Sequence, residues 1–207
     1  MAAHTITWDE LLPNARTGDL VLFHSKDFLS EVIEKVTGGA YSHVGMIIRP
    51  DPKALPLLWE ESGVALAPDP ESKTTPKHKG AQLGDLQTTV ESILAYHDHP
   101  HYRRLDWERT PEFEAAVQDV ITTCEGVPFG SIPQMAEHWL EGHLLEIAAP
   151  ETQMFCSQLV ALTFQRAGLL STEHVPNWYA PSTFGSGHHG LHLLQGATFE
   201  KEIAIKT

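Results

Sequence analysis

One cysteine in this chain is placed for covalent chemistry. The stretch Met154 to Phe164, MFCSQLVALTF, carries Phe155, Leu159, Val160 and Thr163 at helical spacing behind Cys156, which predicts a helix pinned to a core with its first turn free. N–H groups of a first helical turn lack intrahelical partners and form the positive end of the helix dipole. They therefore favour a thiolate and any oxyanion formed beside it. A thiolate nucleophile needs a base, and the base needs a polar group that fixes its tautomer. His43, at the head of SHVGMIIR, and Glu61, in LLWEES, supply those residue types, with Glu60 as a rival next to Glu61. Residue type alone leaves the alternatives open: an inert buried thiol, a satisfied core histidine and a solvated strand-end charge. The other cysteine, Cys124, falls on the apolar stripe of Phe113, Ala116, Val117, Val120 and Ile121, so it reads as a core residue.

The elements that must position these groups are legible in order. Thr7 and Glu10 have capping-box spacing before a short helix, Trp8 to Leu12, closed by Pro13. A buried strand follows from Leu20 to His24, and then a helix on which Phe28, Val32, Ile33 and Val36 share a face before Gly38-Gly39. Ser42 to Arg49 reads as a strand with His43 at its start, and Leu57 to Ser62 as a second strand. Alternation on that second strand puts Trp59 and Glu61 on one face, Leu58 and Glu60 on the other. Pro68 to Gly80 is a polar, exposed loop that could cover a cleft, and Leu86, Val90, Ile93 and Leu94 suggest a helix. HDHPHYRRLDW leads toward a boundary at Thr110-Pro111-Glu112, a strong helix start. A helix from Gln134 to Leu140 should stop at Gly142, the Cys156 helix at Gly168, and the tail should be loop-rich with a strand-like FEKEIAIK.

Composition excludes several classes. With 207 residues and 42% hydrophobic content, one domain spanning 1–207 can bury its own core without disulfides. The N-terminus has neither a basic region nor an apolar run of signal-peptide type, and the two cysteines fit a reducing compartment, so a cytoplasmic protein is expected. No apolar run is long enough to span a bilayer. A net charge of −13 opposes nucleic acid and anionic membranes as partners. Thirteen histidines raise a zinc hydrolase as a rival, with His97, His99 and His101 or His188, His189 and His192 as ligands. Against it, HExxH is absent, and His138 and His143 are spaced off a common helical face. Gly185, Gly187 and Gly190 spell GxGxxG, but too little chain follows for a βαβ unit, and GxSxG is absent. A non-catalytic binding module, with an unactivated Cys156, is the remaining rival class.

GDLVLFH, TGGAYSHVGMII, WEESGV and MFCSQLVALTFQRAGLL together resemble the circularly permuted branch of the NlpC/P60 papain-like superfamily, in which the histidine strand precedes the cysteine helix. CEGVPFG and APSTF extend the likeness over most of the chain. The resemblance implies an α+β papain-like fold: a small antiparallel sheet or barrel packed against helices, with the nucleophile at a helix N-terminus. It implies Cys156 as nucleophile, His43 as general base and then acid, and Glu61 as the group orienting the imidazole. Tyr41 would line the pocket or donate to the oxyanion, or else pack as a strand-edge tyrosine. No metal or organic cofactor is required. The expected reaction is cysteine-peptidase or amidase hydrolysis of a small peptide-like substrate through an acyl-thioester, with acyl transfer or lipid ester cleavage as the alternative within the superfamily. Substrate identity, the role of the Pro68 to Gly80 loop and the oligomeric state are not set by the sequence.

Overall fold

Strand β2 (Leu20–Ser25) pairs antiparallel with β3 (His43–Ile48), and β3 in turn with β4 (Leu57–Ser62), so the first half of the chain builds a sheet around the histidine strand. The computed structural model describes residues 5–25, 39–49, 51–62 and 79–207. The expected helix over Phe28 to Val36 lies outside them, as does nearly all of the Pro68 to Gly80 loop. In full, β1 (Thr5–Ile6), β5 (Gly80–Asp85), β6 (His97–Arg103) and β9 (Ile203–Ile205) complete a seven-stranded sheet in the order β1-β9-β6-β2-β3-β4-β5. A separate pair joins β7 (Leu105–Asp106) to β8 (Thr198–Phe199).

The sheet is larger than the small antiparallel one expected, and it is mixed, because β1 and β9 run parallel. The main omission was HDHPHYR, whose polar residues and proline hide a strand that pairs with β2 on one side and β9 on the other. Pro100 is tolerated because the β2–β6 register shifts between Leu22 and His24, and His99 takes a left-handed φ of 45° beside it.

Strand alternation divides the core in two. Leu20, Leu22, Val44, Met46 and Trp59 pack with the helices Pro111–Cys124 and Cys156–Arg166, while Val21, Phe23, Ile47 and Leu58 pack on the other face with Leu11, Leu86, Val90 and Ile93. In chain order the helices are α1 (Trp8–Asn14), α2 (Leu86–Ile93), α3 (Pro111–Cys124), α4 (Ile132–Leu145) and α5 (Cys156–Arg166). The Thr7–Glu10 box caps α1, with the Thr7 N–H and hydroxyl donating to the Glu10 carboxylate at 2.9 and 2.8 Å. α1 continues past Pro13, and the Asn14 side chain donates to the Glu10 carbonyl at 2.8 Å. Thr110 caps α3 by accepting from the Phe113 N–H at 3.2 Å, and Cys124 is buried on its stripe, where burial pushes the thiol up.

Two further helices differ from expectation, one in its end and one in its burial. α4 runs through Gly142 to Leu145, because that glycine makes room for Asn177: a Cβ there would stand 2.4 Å from the Asn177 side-chain nitrogen. α5 is buried along Cys156 to Phe164 rather than on one stripe, since it is covered on its outer side as well as by the sheet.

Candidate active site

Cys156 is the first residue of α5, after an extended N-cap at Phe155. The approach to the helix is clamped from α3's far side: the Met154 N–H donates to the Pro128 carbonyl at 3.2 Å, and the Gly130 N–H to the Met154 carbonyl at 3.0 Å. Trp59 of β4 fixes the helix to the sheet, its Nε1 donating to the Thr163 hydroxyl at 3.3 Å. Cys156 is 4% exposed and its first-turn amides have no intrahelical acceptor by geometry of the helix end.

His43 begins β3 opposite Phe23, whose ring lies 5.5 Å from the imidazole. On its other side the imidazole stacks on His97 of β6, centroids 5.2 Å apart and planes 29° from parallel. His97 Nδ1 lies 3.2 Å from the Ser42 hydroxyl. The Cys156 thiol is in hydrogen-bonding contact with the His43 ring. Glu60 Oε2 stands 3.1 Å from His43 Nε2, an ion-pair contact rather than an in-line hydrogen bond. Glu60 is oriented in turn by Gln82 of β5, whose Nε2 donates to Glu60 Oε1 at 2.9 Å.

The carboxylate that meets His43 is therefore Glu60 and not Glu61. The β3–β4 register pairs Met46 with Trp59, and His43 shares its sheet face with Ile47, so the face that carries Leu58 and Glu60 is the one that reaches the imidazole. Gly45 makes this possible. A Cβ at Gly45 would lie 2.9 Å from Leu58 Cδ1 and 3.2 Å from Glu60 Cβ. Glu61, on the Trp59 face, is fully buried and neither of its carboxyl oxygens has a hydrogen-bond partner among the described residues.

Electrostatics separates the two groups further. Burial works against charge on His43, but the charge and hydrogen bond of Cys156 and the contact with Glu60 outweigh it, and its pKa is pushed up to about 10. A protonated imidazolium at His43 is the state this favours. Burial pushes Glu61 up to about 10 as well, reinforced by the negative charges of Glu60 and Cys156 and opposed by His43.

Tyr41 packs against His24 at 4.7 Å and His101 at 5.8 Å, with its backbone N–H and carbonyl both bonded to the Ser182 hydroxyl. Burial and the Glu202 carboxylate push its phenol up to about 12. These contacts are those of a tyrosine packed at the entry to β3. The candidate zinc ligands are dispersed: His97 lies under His43, His99 and His101 lie against His24, and His192 is 4.0 Å from Glu173. Among the described residues no group of three or more His, Cys, Asp or Glu is arranged to hold a metal ion. No helix among them is long and apolar enough to cross a membrane.

Sequence reasoning missed the supporting residues Gln82 and His97 as members of this site. Gln82 sits in GAQLGD, a short glycine-bearing run with little strand signal, and His97 in a run read for metal binding. Neither carries a local signal for its role.

No protein-family model matches the sequence, and no curated protein does. Among solved structures, the crystal structure of metalloprotein yiiX from Escherichia coli O157:H7, DUF1105, aligns with 18% sequence identity and a TM-score of 0.47 over 74% of this chain. This chain spans 66% of that chain's length. The metal in that description is a property of that protein.

Proposed function

We propose that this chain is a cysteine hydrolase of the permuted papain-like type that cleaves an amide bond of a small peptide-like substrate. The observation that carries the reading is the contact of Cys156, at the N-terminus of α5, with a His43 imidazole whose Nε2 lies 3.1 Å from the Glu60 carboxylate. Cys156 thiolate attacks the carbonyl carbon, and the first-turn amides of α5 receive the oxyanion. The protonated His43 gives its proton to the leaving amine, leaving an acyl-thioester on Cys156. Neutral His43 then takes a proton from water, the resulting hydroxide displaces the thiolate, and the imidazolium is restored. Glu60 holds the ring in the orientation that serves both steps.

The test is an acid-quenched reaction with p-nitrophenyl acetate and a set of N-acetyl peptide amides, read by intact mass and peptide mapping. An acyl adduct on Cys156 is expected, absent in Cys156→Ser, with turnover reduced at least about 100-fold in His43→Ala. Adduct formation that is absent, or that does not depend on His43, would sink the assignment.

A further inference from the structure

Strand β3 carries His43 at one end and leads at the other into a polar cavity. Arg49, which follows the strand, lines a space of about 740 Å³ bounded by α1, the turn into β2, the end of β6 and the segment before α3. That volume suits a small molecule. Extended chain separates His43 from Arg49 by on the order of 20 Å, so the cavity is remote from the thiol.

Four arginines line it: Arg16, Arg49, Arg104 and Arg109. The chain holds 14 lysines and arginines against 27 aspartates and glutamates, so four cations on one cavity run against its overall charge. Two of them are matched by carboxylates. Arg109 pairs with Asp19 at 2.6 Å, and Arg104 with Glu200 at 3.5 Å. Arg49 is not matched. Its Nη1 donates to the Leu12, Pro13 and Ala15 carbonyls and its Nη2 to that of Pro52, at 2.7 to 3.2 Å, while its Nε is buried without a partner among the described residues. Carbonyl oxygens satisfy N–H groups but bring only partial charge, so this half-buried guanidinium has no full counter-charge. Arg16 is exposed, and its side chain makes no hydrogen bond or ion pair among the described residues. Glu10 and Glu114, the other acids on the wall, are bonded to Thr7 and Thr17.

We propose that this cavity binds a small molecule bearing an oxyanion, a carboxylate or a phosphate, with Arg16 and Arg49 as its counter-charges. Arg49 Nη2 keeps an N–H beyond the one given to Pro52, and the whole Arg16 fork is free to donate, an arrangement that takes either anion. Large polyanions are opposed by the net charge of −13. The site stands whether or not Cys156 acts as a nucleophile.

Isothermal titration calorimetry of the full chain tests this with inorganic phosphate, N-acetylglycine and N-acetylglycinamide, the last matching the second without its charge. Saturable one-to-one binding of phosphate or of N-acetylglycine is expected, with the amide silent, and the tighter of the two anions distinguishes phosphate from carboxylate. Affinity should fall about 10-fold or more in Arg16→Gln, an exposed position whose replacement spares the fold, and several-fold in Arg49→Lys, which keeps the charge and loses the fork. It should stay within about twofold in Arg166→Gln, whose cation pairs with Glu151 outside the cavity. Failure of either anion to saturate by about 10 mM would overturn the proposal, as would wild-type affinity in Arg16→Gln. So would an equal loss in Arg166→Gln, which would reduce the effect to overall charge, or equal binding of the amide.

Discussion

Glu60 and Glu61 stand one residue apart on opposite faces of β4, and that parity decides which of them meets His43. The Glu60 carboxylate, anchored by Gln82, balances an imidazolium, so Glu60→Gln should slow iodoacetamide alkylation of Cys156 about 10-fold or more at pH 7, measured by mass-mapped adduct formation. Glu61→Gln should leave that rate within about twofold, because the amide replaces a group that is already uncharged. The stability effect has the opposite character. A carboxyl whose folded pKa is about 10 keeps its proton in the folded chain while the unfolded chain, titrating near 4.5, has lost it. Folding stability therefore falls with rising pH between those values, and Glu61→Gln removes that loss. The variant should be more stable than wild type at pH 8 by up to about 5 kcal/mol, with the difference nearly gone at pH 4.5, as urea unfolding at the two pH values would show.

At the scale of elements, the site depends on how closely β3 and β4 approach. Gly45 leaves no room for a side chain on that face, and Gly45→Ala would press a methyl group against Leu58 and the Glu60 Cβ. The expected outcome is a stability loss of about 1–3 kcal/mol together with slower Cys156 alkylation, since the shift takes Glu60 off the imidazole. Circular dichroism melts beside alkylation rates would check both halves. α5 offers a contrast. Leu159 is fully buried one turn behind Cys156, and Leu159→Ala should cost about 2–5 kcal/mol through the cavity it leaves, read from the urea midpoint. It is legible from sequence as core. Gly45 is not, because nothing in SHVGMII says which strand will lie against it.

For the whole molecule, the connection between the sheet and α3 runs through Asp19. Its carboxylate accepts from the Tyr102 hydroxyl at 2.7 Å, the Leu105 N–H at 3.0 Å, the Arg16 N–H at 2.9 Å and Arg109 Nη2 at 2.6 Å, joining β2, β6 and the segment before α3. Arg109→Met leaves a buried carboxylate short of its cation and should cost about 3–5 kcal/mol, measured by denaturant unfolding, with Cys156 alkylation of the folded protein unchanged. A second global expectation follows from His43. Its folded pKa of about 10 lies above the unfolded value near 6.5, so the stabilisation it gives is complete below about 6.5 and is lost as pH rises through 10. Its window overlaps that of Glu61 and has the same sign. Melting temperature should therefore decline from neutral to alkaline pH, less steeply in His43→Ala than in wild type.

Local rules determined much of this protein. Capping chemistry at Thr7 and Thr110, the apolar stripes of α3 and α5, the strands at His43 and Leu57, the core place of Cys124 and the position of Cys156 at a helix start all depend on residues within a turn or two of one another, so the sequence carries them directly. Strands β5 and β6, the run of α4 through Gly142, the stacking of His97 under His43 and the choice of Glu60 over Glu61 depend on partners that are distant in sequence. A polar strand such as HDHPHYR forms because β2 and β9 satisfy its backbone, and a carboxylate finds its histidine through strand register. Neither partner is named by neighbouring residues, so tertiary structure alone decided them.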